Sequence, residues 1–494
     1  MSEGFSCIEA TVAEIHDAMA AGELTCRDLV AEYLERIDAY DRDGPELSSI
    51  VTVADGALER AAELDEAFNE HRTVGPLHGI PVLVKDQVET AGTRTTFGSA
   101  AFADYVPSTD ATIVRKLRDA GAIVLAKTNL PDWGASWFGH SSVRGQTKNP
   151  YAPAHDPGGS SAGTGAATAA NLGTIGIGGD TGGSIRIPAS CCNLYGLRVT
   201  TGLISRRGIA PLVDRQDTAG PMTRTVEDLA RLLDVLVGFD PDDEWTGVEA
   251  LADVDASYTT ALDQTALEGA RLGVLRSSFG EMPEAEPVND VVDAALETMD
   301  AAGAKLIDPI EIPELHSQLS DSALFAHQAR ANIDEFLARR DTAPVDSIDE
   351  VYESGAYHDD LQLFEQLADG PADPTDDPEY WHRVAAQGAL RRAILHVFAA
   401  EDLDAMVFPS VQVPPPAIDH LSDGVVYRTN TVIASQSSCP AISIPAGFTD
   451  DGLPVGVELL GAPYAERNLL GLASAFEATA DTRRPPQSAP ALSE

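Results

Sequence analysis

From Pro157 to Gly179 the chain carries no charge, although charged residues make up 22% of the whole. The run reads PGGSSAGTGAATAANLGTIGIGG and continues as DTGGSIRIP to Pro188. Its glycine, serine, threonine and asparagine content fits a buried loop, helix and strand, and is too polar for a membrane span. The alanine-rich Ser161–Asn171 reads as a helix that packs closely, and Thr174–Gly178 as the short strand after it.

The flanking segments suit that interior. Ile80–Lys85 reads as a buried strand, Ala111–Ala120 as an amphipathic helix stopped by Gly121, and Ile123–Ala126 as the next strand. Strand, helix, strand at this spacing predicts an α/β sheet with helices outside. Residues 1–70 read as an N-terminal helical segment packed on the core, with helices at Thr11–Ala21, Thr25–Tyr40 and Gly56–Glu70. The main domain spans 71–482. Within it Thr225 and Asp228 form a capping box, and about 240–421 reads as an acidic, mainly helical lobe. Pro440–Gly461 reads as a hairpin turning at Thr449–Gly452, Ala465–Thr479 as a closing helix, and 483–494 as a loose tail.

Acidic residues outnumber basic ones by 78 to 33, a formal net charge of −45, and they recur along the whole chain. Such a surface repels itself at low ionic strength and becomes compact when salt screens it. With five lysines against 28 arginines, the composition resembles that of proteins from salt-accumulating halophiles. Nonspecific nucleic-acid binding needs Lys and Arg to displace counterions, so the charge argues against it. The start, MSEGFSCIEATVAEIHDAMAAG, has acids where a signal peptide needs a basic end. The cysteines Cys7, Cys26, Cys191, Cys192 and Cys439 are sparse, odd in number and without CxxC, as expected of reduced thiols in a cytoplasmic protein without a membrane partner.

Lys85 ends the apolar run Ile80–Val84 in GIPVLVKD. A buried ammonium loses hydration, its pKa falls, and it can act as a neutral base. Ser160, Ser184 and the adjoining glycines supply what such a base would serve: a nucleophile and closely approaching backbone N–H donors. Each has an ordinary reading on its own. Ser160 and Ser161 could cap a helix, Ser184 could start one, and Lys85 could snorkel from a strand end. Their conjunction favours catalysis.

Together GIPVLVKD, PGGSSAG and DTGGSIRIP resemble the amidase signature family of Ser–cisSer–Lys amide hydrolases. The likeness is dense from about Gly75 to Asp234 and resumes in SSCPAISIPAGFTDDGLPVGVELLG, Ser437–Gly461. The resemblance implies Lys85 as catalytic lysine, Ser160 as a bridging serine after a cis peptide bond, and Ser184 as nucleophile. It implies an α/β fold with a mixed β-sheet core surrounded by α-helices. Backbone N–H groups of Thr181, Gly182, Gly183 and Ser184 would face the oxyanion, with Ser161, Asp180 and Arg186 in support. The implied reaction is hydrolysis of a small-molecule carboxylic amide to acid plus ammonia or amine through an acyl-enzyme, without a cofactor or metal. The family also holds the A subunit of glutamyl-tRNA amidotransferase, which releases ammonia from glutamine for a partner. An inactive binding protein on the same fold is a third reading, and a homo-oligomer is compatible with all three. The long region after Asp240, with Trp133, Trp137 and Phe138 near the expected site, favours a stand-alone amidase acting on aliphatic or aromatic amides. The sequence departs from the family at Gly179, commonly threonine, and Ala162, often glycine.

Other motifs compete for the same residues. GSSAG at Gly159–Gly163 matches the nucleophile elbow of α/β-hydrolases, which would select Ser161, but the preceding AHDPG is a poor strand. Asp180–Gly182 matches one aspartic-protease half-site without a second DTG or DSG. The eleven histidines lack a ligand-like cluster, and His78, His140 and His155 read as ordinary polar contacts. Tyr195, Cys191 and Cys192 read as packing groups below the site.

Overall fold

A computed structural model of the chain describes residues 5–70, 73–248, 257–423 and 429–492. The first four residues of the N-terminal segment, 249–256 of the acidic segment and the last two positions of the tail lie outside them.

Short apolar runs supply the strands: β1 (Ile50–Val53), β2 (Pro81–Lys85), β3 (Ile123–Thr128), the small pair β4 (His140–Ser141) and β5 (Gly145–Gln146), β6 (Ile175–Asp180), β7 (Tyr195–Arg198), β8 (Thr218–Thr223), β9 (Arg271–Val274), β10 (Lys305–Ile307), β11 (Ala405–Pro409), β12 (Ala441–Phe448) and β13 (Pro454–Leu460). All but β4 and β5 join one eleven-stranded sheet, ordered β1-β3-β2-β6-β8-β7-β12-β13-β11-β9-β10. The sheet is mixed. β2 lies parallel to β3 and β6, a run of antiparallel pairs extends from β6 to β11, and β9 lies parallel to both β11 and β10. Helices surround it, so the α/β fold class read from the sequence is the observed one.

Parallel pairing positions the site. Val84 lies opposite Ile177, so β2 and β6 end at the same edge of the sheet, one on Lys85 and the other on Asp180. The carboxyl ends of parallel strands are where α/β sheets place ligand sites. The helix Ala162–Ala169 is buried along its whole length beneath this edge. Its small residues permit that depth: a Cβ on Gly163 would stand 2.3 Å from both Asn129 N and Ser49 O.

Several elements differ from the sequence reading. Residues 1–70 hold the three expected helices, but β1 (IVTV) pairs antiparallel with β3 as an edge strand. The segment 240–421 is not only helical: it contributes β9, β10 and β11, which finish the sheet. Thr225 caps its helix through the N–H of Asp228, but the Asp228 carboxylate accepts from Val12 N, tying in the N-terminal helix. The tail is not loose. Arg36 donates to the carbonyls of Ala489 and Pro490, and Arg483 reaches Glu9 and the carbonyl of Asn193. No helix among the described residues is long and apolar enough to cross a membrane.

Candidate active site

Lys85 Nζ lies 2.8 Å from Ser160 Oγ and donates to the carbonyl of Gly179 at 3.2 Å. The lysine is 1% exposed. Burial brings its pKa down from the ordinary lysine range to about 7, against the opposing pull of the Asp180 and Asp217 charges. The Gly159–Ser160 peptide bond is cis. Ser161 N donates to the carbonyl of Ser184 at 3.0 Å, which joins the serine pair directly to the DTGGS loop. Ser160 and Ser184 are both buried, at 2% and 6% exposure. The structure therefore brings Lys85, Ser160 and Ser184 to one place.

Ser161 is the weaker nucleophile candidate. Its hydroxyl donates to the Gly179 carbonyl and accepts from the Gly179 N–H, each at 3.2 Å, so it is occupied on both sides. The stretch before it is not a strand, as the elbow of an α/β-hydrolase would require. At Gly179 itself, a Cβ would stand 2.5 Å from Gln87 Nε2, so a side chain there would require Gln87 to move.

Asp180 organises the loop that carries Ser184. Its carboxylate accepts from the N–H groups of Gly183 (3.0 Å) and Ile185 (3.2 Å), from Arg186 through Nε and Nη2, and from Arg198 Nη1. Arg186 also bonds Glu458 of β13 and Ser435 Oγ. All four charged groups are buried. The two guanidinium groups hold the Asp180 carboxyl far below the usual carboxylate range, whereas burial pushes Glu458 up to about 7 despite its contact with Arg186. Asp180 and Arg186 were legible as supporting contacts; Arg198 and Glu458 were not, because only strand pairing brings them here.

This network corrects one expectation. The Gly183 N–H is taken by Asp180 and is not available to an oxyanion. Among the described residues, no protein group accepts from the N–H groups of Thr181, Gly182 or Ser184, which leaves those three free to face a ligand. The two glycines also differ. Gly183 has φ +124°, and a Cβ there would fall 1.8 Å from Thr431 Oγ1, so only glycine fits. A Cβ on Gly182 would meet only Trp137 Nε1, at 3.6 Å. Thr431 Oγ1 donates to the Gly182 carbonyl at 2.7 Å, clamping the loop from the C-terminal part of the chain.

The aromatic residues separate. Trp137 stands over Gly182 and is half-buried with Phe138 and Val413 against Ile187, Cys191 and Val411, an apolar wall beside the nucleophile loop. Trp133 belongs elsewhere: it stacks on Phe97 with ring centroids 5.0 Å apart, within a core cluster that includes Phe102 and Phe336. Its neighbour Gly134 is the residue that faces Ser160 Oγ. Tyr195 and Cys192 are buried packing groups, as read. His140 is also buried, but its ring lies against that of His358, centroids 4.5 Å apart and tilted by 30°, a partner the sequence did not suggest.

Sequence reasoning missed a second buried lysine. Lys127 forms an ion pair with Asp86 at 3.0 Å, both fully buried, and donates to Val88 O and Thr95 Oγ1. It follows the apolar run Ile123–Ala126 on β3, just as Lys85 follows Ile80–Val84 on β2, and that shared pattern is the signal that could have found it. With a carboxylate partner it is a structural cation, whereas Lys85 faces a hydroxyl. A cavity of about 820 Å³ opens beyond the loop 206–217 and reaches Gln87, Asp180 and Thr181. Its four arginines, Arg206, Arg207, Arg339 and Arg340, are each paired with an acid. Among the described residues no group of His, Cys, Asp and Glu is arranged to hold a metal ion.

Known proteins resemble the chain over nearly its whole length. An amidase family model matches residues 28–470. The A subunit of glutamyl-tRNA(Gln) amidotransferase from Exiguobacterium sp. is 34% identical over 489 residues, covering 96% of this chain and 98% of that one. The crystal structure of native peptide amidase from Stenotrophomonas maltophilia superposes with a TM-score of 0.88 at 34% identity, covering 98% of this chain and 99% of that one. The A subunit of glutamyl-tRNA(Gln) amidotransferase from Thermotoga maritima superposes with a TM-score of 0.77 at 26% identity, covering 98% and 99%.

Proposed function

The chain belongs to the amidase signature family, and from that membership we propose that it cleaves a carboxylic amide through an acyl-enzyme on Ser184. Neutral Lys85 takes a proton from Ser160 as Ser160 takes the proton of Ser184. The Ser184 Oγ attacks the amide carbon, and the N–H groups of Gly182 and Ser184 stabilise the oxyanion. The relay then runs backwards: Ser160 returns a proton to the leaving nitrogen, the C–N bond breaks, and ammonia or an amine departs. Water, deprotonated by the same relay, releases the acid. These steps balance with no cofactor. The observation that carries the reading is the 2.8 Å contact between a buried lysine and Ser160, with the serine pair bonded to the Ser184 carbonyl. A lysine used only for structure would be expected to face a carboxylate, as Lys127 does.

The relay predicts a pH dependence with a definite sign. Only neutral Lys85 accepts a proton, so kcat/KM should rise with pH through an apparent pKa near the value of about 7 set by burial, then level off. Free lysine would place that rise near ~10.4. A profile flat from pH 6 to 8.5 would remove Lys85 from the role of base.

Two roles fit this reaction. The names of the curated relatives support a role within an amidotransferase, where a partner uses the ammonia. The apolar wall of Trp137, Phe138 and Val413 and the likeness to peptide amidase support a stand-alone hydrolase for amides with an apolar acyl side. Ammonia release separates them. The purified chain alone, given glutamine and simple aromatic, aliphatic and peptide carboxamides at molar KCl, should turn over the carboxamides if it stands alone. Glutamine turnover that appears only with partner subunits and charged tRNA would establish the amidotransferase role.

A further inference from the structure

A buried glutamine, bonded by a second one, reaches the nucleophile loop from outside its motif, and the relay makes no use of either. Gln216 Nε2 donates to the Thr181 carbonyl at 2.8 Å. Gln387 Nε2, on the long helix Pro378–Glu401, donates to Gln216 Oε1 at 2.9 Å and to the Ser322 carbonyl at 3.2 Å. The ends fix the direction of this chain of bonds. Both terminal carbonyls only accept, so each must meet an amide NH2, which leaves Gln216 Oε1 to receive the middle bond.

A peptide unit is planar, with its C=O and N–H pointing in opposite directions. The unit whose carbonyl Gln216 holds is the one whose N–H belongs to Gly182, one of the free donors at the loop. Holding the carbonyl therefore aims the donor. The grip is double, because the Thr181 hydroxyl also donates to Asp217, the residue after Gln216. Gln216 itself is set by a turn in which its N–H bonds Val213 O. The next peptide unit is fixed independently, by Thr431 on its carbonyl and Asp180 on its N–H.

We infer that Gln216, braced by Gln387, is a positioning residue that aims the Gly182 N–H at the oxyanion, and that the brace makes this aim depend on the docking of the helix Pro378–Glu401. The inference rests on the reading of Ser184 as nucleophile. Oxyanion charge develops only on the way to the tetrahedral state, so a misaimed donor should lower kcat and leave KM nearly unchanged.

The test is steady-state kinetics on the full chain with a carboxamide it hydrolyses. Gln216→Met keeps the length of the side chain and removes the donor; kcat should fall on the order of 10- to 100-fold, with KM within about threefold. Gln387→Met should lower kcat less, by about three- to tenfold, again with KM held. Since the links act in series, the double variant should be no slower than Gln216→Met alone. A folded Gln216→Met with kcat within twofold of wild type, or a KM that rises as much as kcat falls, would overturn the inference. If Gln216→Met fails to fold by circular dichroism, Gln387→Met decides: unchanged kcat overturns it, and a loss with KM held supports it. A wild-type chain whose Ser184 is not labelled by a fluorophosphonate would remove the nucleophile reading, and this inference with it. Labelling and turnover in the wild type with unaffected variants would remove the inference alone.

Discussion

Ser184→Ala is expected to abolish acyl-enzyme formation and to lower turnover on the order of 10⁵- to 10⁶-fold, the loss typical when a relay loses its nucleophile. A fluorophosphonate that labels the wild-type chain should leave this variant unmodified. Ser160→Ala and Lys85→Met should each cost several orders of magnitude, and combining them with Ser184→Ala should add little, because the three groups act as one unit. Lys85→Arg is the sharpest member of the set. Arginine keeps the charge but stays protonated, so it cannot accept from Ser160. Turnover near wild type in Lys85→Arg would sink the proton relay. Full activity in Ser184→Ala would turn attention to Ser161, whose hydroxyl would first have to leave both of its bonds to Gly179.

What could be read in the sequence was local or motif-bound. The end of β2 at Lys85, the buried helix after Ser161 and the hairpin at Thr449–Gly452 follow from apolar runs, small residues and turn chemistry, and the structure places them there. The ownership of individual N–H groups was not legible. A DTGGS string states which donors exist, but only the folded loop shows that Asp180 keeps that of Gly183 for itself. Long-range partners were hidden for the same reason. Arg198 and Glu458 meet Asp180 and Arg186 because β7, β12 and β13 pair in a particular register, and register is a property of the assembled sheet. Trp133 and Trp137 show the limit at its finest. Four residues apart, one stacks in the core and the other stands over Gly182, because the backbone turns through positive φ at Trp133 itself and at the Gly134 that follows. The anchored tail was missed because Arg36 and Arg483, whose bonds hold it, are ordinary arginines by composition.

The largest stability effect should come from the charge cluster behind the nucleophile. Asp180 is the sole carboxylate contact of Arg198 among the described residues and one of two for Arg186, and none of the four groups reaches solvent. Asp180→Asn is nearly isosteric, yet it leaves the buried Arg198 without a carboxylate contact and Arg186 with Glu458 alone. Breaking a buried pair by removing one partner typically costs about 3–5 kcal/mol, because the remaining charge stays desolvated. The denaturation midpoint in urea should therefore fall well below that of Glu335→Gln, which removes an exposed i,i+4 partner of Arg339 and should cost less than about 0.5 kcal/mol. Adding Arg198→Met to Asp180→Asn should cost less than the sum of the two single changes, since it removes the charge that the first change stranded. Strict additivity would mean that the arginine never depended on the aspartate. A normal midpoint in Asp180→Asn with a collapsed kcat would show that the cluster serves the shape of the Gly182–Ser184 loop and contributes little to holding the sheet together.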